Sequence, residues 1–204
     1  REVLGITEES IPGVERRIDA LLRLLNTHFE ATPFLLGDTP CTGDFALCGP
    51  LYAHIYRDPG SRHRFDGHEH VKRWMERLAV PPSSPGRFLE DGAVPPTLEP
   101  LLASVFAEQW PFASEVVGAV ARFTSQSPGM PLPRGLGWAP CTLGGVKTRR
   151  KIATESQWKI QRVLEVYQQP WVCESTQVES LLERVNGAAL TNIRVDHPVV
   201  RRRG

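Results

Sequence analysis

Apolar residues recur along the first third of the chain at helical spacing. Val14, Ile18, Leu21, Leu22, Leu25 and Phe29 follow one another at intervals of three and four and lie on one face of a 3.6-residue period. Glu15, Arg16, Arg17, Asp19 and Arg23 occupy the other face, so a helix is predicted over residues 10–30. Ser10 is placed to cap its start, and Thr32-Pro33 stops it. A second helix is predicted from Thr42 to Tyr56. It is apolar on nearly all sides, which predicts central burial. Asp58-Pro59-Gly60-Ser61 ends it, and a third helix runs from His68 to Leu78 with Val71, Trp74, Met75 and Leu78 inward.

Residues 80–97 read as loop, because Pro81, Pro82, Pro85, Pro95 and Pro96 exclude a helix interior. A fourth helical region spans 98–125, and Pro111 should kink or split it. Residues 126–151 are rich in glycine and proline, and such a long irregular stretch is functional or wraps a surface. Thr154 with Gln157, and Thr176 with Glu179, match the capping-box pattern ahead of two further helices, one running to Gln169 and one ending at Asn186-Gly187. A short tail, 188–204, closes the chain. No strand-rich segment or internal repeat is visible. The fold class is therefore all-α: a helical bundle with long Gly/Pro-rich loops and a helical C-terminal extension. The domain reading divides it into residues 1–125 and an extension, 126–204, packed on the same core.

Composition narrows the function more than the fold. Of 204 residues, 41% are hydrophobic and 23% charged, which excludes disorder throughout. Twenty-four basic and 23 acidic residues leave a net charge of +1, which argues against a dedicated nucleic-acid binder. No apolar run reaches the roughly 20 residues of a bilayer span. Cys41, Cys48, Cys141 and Cys173 form no CxxC pair, and a reducing compartment, cytoplasmic or mitochondrial, is expected. The chain opens on Arg1 rather than Met, which suggests a processed or truncated chain.

One segment carries a resemblance. Phe34-Leu35-Leu36-Gly37-Asp38-Thr39-Pro40-Cys41-Thr42-Gly43-Asp44-Phe45-Ala46-Leu47 resembles the approach to the central helix of the glutathione S-transferase C-terminal domain. There, a Ser or Thr after the proline and an Asp three positions later form an N-cap. Asp44 stands where the family has its Asp, and Cys41 stands in the Ser/Thr position. A thiol is a poor acceptor, so the cap is weakened, or its register shifts to Thr42. The likeness covers residues 10–80 well and 98–170 faintly, through Gly145, Arg150, Trp158 and Gln161-Arg162.

The resemblance implies two alternatives. In the first, the chain is the all-α part of a glutathione S-transferase-like protein and supplies the wall for a hydrophobic co-substrate. Glutathione and catalysis would then belong to an N-terminal thioredoxin-like domain; no βαβ pattern precedes residue 10. In the second, the fold is reused by a non-catalytic accessory subunit of a larger, mitochondrial assembly. Either way a protein partner or dimer is expected, with no cofactor held by this chain itself.

Tyr52 and Tyr56, four apart on one helix face, and Trp110 are the candidate co-substrate contacts. The bland alternative for the tyrosines is surface packing. His63, His68 and His70 cluster with Asp66 and Glu69, but competing positive charge speaks against a metal. Cys141, in a glycine loop near Lys147, Arg149 and Arg150, is a candidate activated thiol. The basic runs Lys147, Arg149, Arg150, Lys151 and Arg201–Arg203 suit a phosphate, an anionic lipid surface or an acidic partner, or are simply solvated faces.

Overall fold

The structure is a computed structural model that describes residues 2–81 and 86–200. Pro82, Pro85 and the Arg201–Arg203 run lie outside the described residues. Contacts divide the chain into two compact units, Arg16–Leu101, and Arg1–Glu15 with Leu102–Gly204. The boundary drawn from sequence after residue 125 falls within the second unit.

Helix α1, Ile11–Ala31, runs from the second unit into the first. Its cap lies earlier than Ser10. Thr7 Oγ1 accepts from the Ser10 N–H at 3.2 Å, and Ser10 Oγ accepts from the Thr7 N–H at 2.9 Å. Two orphan donors at the helix start are thus satisfied reciprocally.

In the unit Arg16–Leu101, Leu22, Leu25 and Phe29 of α1 bury their side chains against Phe65, Val71 and Trp74. Phe29 stacks on the Trp74 ring with centroids 4.5 Å apart. His28 is fully buried and joins distant segments. Its Nδ1 lies 2.7 Å from Thr97 Oγ1, and its Nε2 lies 3.2 Å from the Phe34 carbonyl. Residues 36–38 pair with 87–89, Asp38 N–H donating to Arg87 O and Leu89 N–H to Leu36 O.

Helix α2, Thr42–Leu51, begins at the N-cap Cys41. It continues through a widened π turn, Tyr52–Tyr56, to Arg57, whose N–H bonds the Tyr52 carbonyl five residues back. Central burial is not what the structure shows. Asp44 and Leu51 are buried, and Leu47, Cys48 and Ile55 half-buried; these five form a single stripe. Phe45, Ala46, Gly49, Tyr52 and Ala53 are exposed, Phe45 at 54%. Apolarity on every side carries no period, so it could not say which side would be covered. Helix α3, Glu69–Leu78, has the clean apolar stripe expected, with Val71, Trp74 and Met75 buried.

In the second unit, α4 (Glu99–Ser104, which begins in the first) leads through another π turn, Val105–Gln109, into α5, Trp110–Gln126. Pro111 accounts for the break. It has no N–H for the Ala107 carbonyl, and its ring would press on that carbonyl in a regular turn. Residues placed in an irregular loop form an antiparallel hairpin, β1 Gly135–Leu143 with β2 Val146–Ala153. Gly144 and Gly145, both at positive φ, make the two-residue turn between Leu143 and Val146. Ala139 and Ile152 face inward onto α5, and the Arg150 guanidinium lies 5.0 Å above the Phe112 ring. Gly144 also backs onto Gly13 of α1. A Cβ at Gly13 would run into the Gly144 carbonyl oxygen.

Neither capping box forms as the pattern suggested. Thr154 lies in helical backbone, and its hydroxyl donates to the Pro133 carbonyl at 2.7 Å, so α6, Glu155–Tyr167, starts without it. After the short α7, Pro170–Cys173, the cap of α8, Thr176–Arg184, is Ser175, whose hydroxyl accepts from the Val178 N–H. The molecule is thus mostly helical with one small sheet. No helix among the described residues is long and apolar enough to cross a membrane.

Candidate functional site

The start of α2 is built around one carboxylate. Asp44 is fully buried. Its Oδ2 accepts from the N-cap Cys41 N–H at 2.9 Å; its Oδ1 accepts from the Leu35 N–H at 3.0 Å and from Trp74 Nε1 at 2.8 Å. A helix N-terminus favours negative charge, and three donors replace the water a buried carboxylate loses. Asp44 therefore pins α2 to the turn before it and to α3.

With α2 held against α3, a cleft of about 460 Å³ opens between them. Phe45, Tyr52, Tyr56, Met75 and Leu78 form much of its wall, with Lys72 and Glu76 as its charged groups. The tyrosine rings stack, 5.8 Å apart at 28°. Tyr56 meets the buried Phe65 edge-on at 5.1 Å, and the Arg62 guanidinium lies 4.9 Å from its ring centre. Tyr56 is thereby anchored, while Tyr52 remains 45% exposed on the rim. Lys72 Nζ bonds Glu69 Oε1 at 2.7 Å, which lowers the Glu69 carboxyl and raises the Lys72 amine from their ordinary values. Burial raises the Cys48 thiol in the wall, and also Cys41, so both resist becoming thiolates. The cleft thus offers aromatic and aliphatic surface, and the thiol in its wall is not activated.

The structure brings Tyr52 and Tyr56 together here and leaves Trp110 out. Trp110 is buried in the core of the second unit, with Nε1 donating to the Ala189 carbonyl at 2.9 Å. Phe45 and Met75 are wall residues that the sequence reading did not single out. The spacing of Phe45, Cys48, Tyr52 and Tyr56 would have marked the face, but Met75 is brought to it only by the packing of α3.

The remaining candidates are dispersed. Cys141 lies within β1, opposite Thr148, and burial raises its thiol despite the nearby Arg150. That reverses the activation expected from its basic neighbours. Lys147, Arg149 and Lys151 project to solvent on β2, while Arg150 turns inward. His63 is exposed, and His68 is half-buried with its pKa lowered by burial and by Arg23. Among the described residues, no three His, Cys, Asp or Glu side chains are placed to hold a metal ion.

Comparison with known proteins places the first part of the chain. Residues 8–77 match the family model described as glutathione S-transferase, C-terminal domain. They span α1 and α2 and end at Arg77, within α3, so this segment is similar to a glutathione S-transferase C-terminal domain. No curated protein and no solved structure matches the chain.

Proposed function

Starting from that C-terminal-like region, we propose that the chain supplies the hydrophobic co-substrate wall of a glutathione transferase. The observation that carries this is the cleft of about 460 Å³ between α2 and α3, whose walls include Phe45, Tyr52, Tyr56 and Met75. A cavity of a few hundred Å³ with mainly apolar walls suits a small aromatic or aliphatic electrophile. Glutathione does not fit it: two carboxylates and an ammonium need several charged partners, and Lys72 is already engaged by Glu69. On this reading, as the resemblance implies, glutathione and the activation of its thiol would belong to a thioredoxin-like domain, and no catalytic step is assigned to this chain.

Titration with a fluorescent anilinonaphthalene sulfonate tests the wall. Saturable binding is expected, weakened about fivefold or more in Tyr52→Ala and Phe45→Ala, since each loses an aromatic contact of about 1 kcal/mol. Thermal midpoints should barely change, because both side chains are exposed. Unchanged affinity in both variants overturns the assignment.

A second reading is supported by the exposed apolar face of α2. In a non-catalytic accessory subunit, Phe45, Ala46, Gly49 and Tyr52 would meet another protein rather than a small molecule. The two readings separate on the whole protein: a small electrophile competes with the probe in the first, and a bound protein partner excludes it in the second.

A further inference from the structure

Beyond the 3₁₀ turn Gly187–Asn192, the chain runs without helix or strand to residue 200. This strap is held on α6 by two glutamines almost sealed from solvent, Gln157 at 1% and Gln161 at 6% exposure. Gln161 Oε1 accepts from the Val199 N–H at 2.7 Å, and its Nε2 donates to the Val199 carbonyl at 3.2 Å. Gln157 Nε2 donates to the His197 carbonyl at 2.6 Å and to Gln161 Oε1 at 3.3 Å. One side-chain amide thus takes both backbone groups of a single residue, as a neighbouring strand would. Contacts of this kind read an extended main chain rather than a particular side chain. Pro198, between the two held residues, fixes its own φ and biases His197 toward extended backbone, so the strap is shaped for the site in advance.

Two further observations point to a ligand rather than a plain structural clasp. Gln157 Oε1 is buried and has no hydrogen-bond partner among the described residues. Buried acceptors are ordinarily satisfied, so this one can take a further donor beside the strap. The strap also leaves space beside it: a cleft of about 690 Å³, bounded by Leu132, Thr154, Trp158, Lys159, Val199 and Val200.

We propose that α6 carries a binding site for an extended peptide, read through its main chain by Gln157 and Gln161, and that residues 197–200 are its built-in occupant. The ligand is a partner's extended segment with a free N–H and carbonyl at the Val199 position and small apolar side chains for the wall of Trp158 and Leu132. Because the strap is tethered, it competes at high effective concentration, and entry of a peptide in trans requires its release.

The test uses the full chain and a fluorescent peptide of residues 195–200. Val199→Pro deletes the N–H that Gln161 holds and releases the strap. The peptide should bind this variant at least about tenfold more tightly than the wild-type chain, as expected when a tethered competitor is removed. Binding should be lost when Gln161→Met is added. Independently, the Val199 amide of the wild-type chain should exchange its hydrogen slowly, and faster in Gln161→Met alone. Equal affinity for wild type and Val199→Pro, or undiminished binding with Gln161→Met, overturns the proposal. Should Val199→Pro fail to fold by circular dichroism, Pro198→Gly, which loosens the strap without removing a hydrogen bond, takes its place, and equal peptide affinity for it and the wild-type chain refutes the proposal.

Discussion

Replacing Asp44 by Ala removes an acceptor that serves three donors at once. The Cys41 N–H, at the half-exposed helix start, can turn to water. The Leu35 N–H and Trp74 Nε1 lie in the core and cannot. Each buried donor left without a partner costs about 1–3 kcal/mol, so the substitution should cost about 4 kcal/mol. That is a large part of the 5–15 kcal/mol, roughly, that holds a domain of this kind together. Asp44→Asn can keep its carbonyl toward Leu35 and Trp74 but sets an amide N–H₂ against the Cys41 N–H; about 2 kcal/mol is expected. Trp74→Phe removes one donor and leaves the carboxylate two, and the double variant with Asp44→Ala should cost at least about 1 kcal/mol less than the sum of the two singles. Urea unfolding followed by far-ultraviolet circular dichroism measures all four. A loss below about 1 kcal/mol for Asp44→Ala, or simple additivity, would refute the view that this carboxylate fastens α2.

Acid should weaken the protein through His28. Burial lowers its pKa, and the contacts to Thr97 and Phe34 suit a neutral ring that donates from Nε2 and accepts at Nδ1. The unfolded chain therefore binds the proton more readily than the folded one. Stability should be flat above the ordinary value of about 6.5 and fall below it by up to about 1.4 kcal/mol per pH unit. His68, lowered by burial and by Arg23, adds to the same limb, so His28→Gln should flatten only part of it in urea midpoints measured across that range. Gly13→Ala forces a methyl into the Gly144 carbonyl, backbone against backbone, and should cost about 1–3 kcal/mol by overpacking. An unchanged thermal midpoint would show that the contact is not held in solution.

The helices legible from sequence were those whose burial is periodic. In α1 and α3, apolar residues fall on one side and charges on the other, so local order and tertiary burial repeat the same pattern. Asp44 was legible for a related reason: a carboxylate three residues into a helix satisfies the donors at its start wherever that helix packs. Its bond to Trp74 was not, because it spans 30 residues. The cleft between α2 and α3 was half legible, as Tyr52 and Tyr56 share a face by local spacing while Met75 arrives on another helix.

Long-range packing set the rest. A threonine followed by glutamine three residues on reads as a cap, yet the Thr154 hydroxyl has a nearer use at Pro133, and Gln157 is turned to the strap. Glycines and prolines read as loop in 126–151, yet paired strands accept glycine at a tight turn and proline where no ladder donor is needed. The alternation in Val146-Lys147-Thr148-Arg149-Arg150-Lys151-Ile152 was hidden because a cation, Arg150, occupies an inward position and finds the Phe112 ring there. Periodicity and capping chemistry act over one or two turns of chain and are written into it. Which apolar face is covered, and which polar group finds a distant partner, depends on segments brought together only when the whole chain has folded.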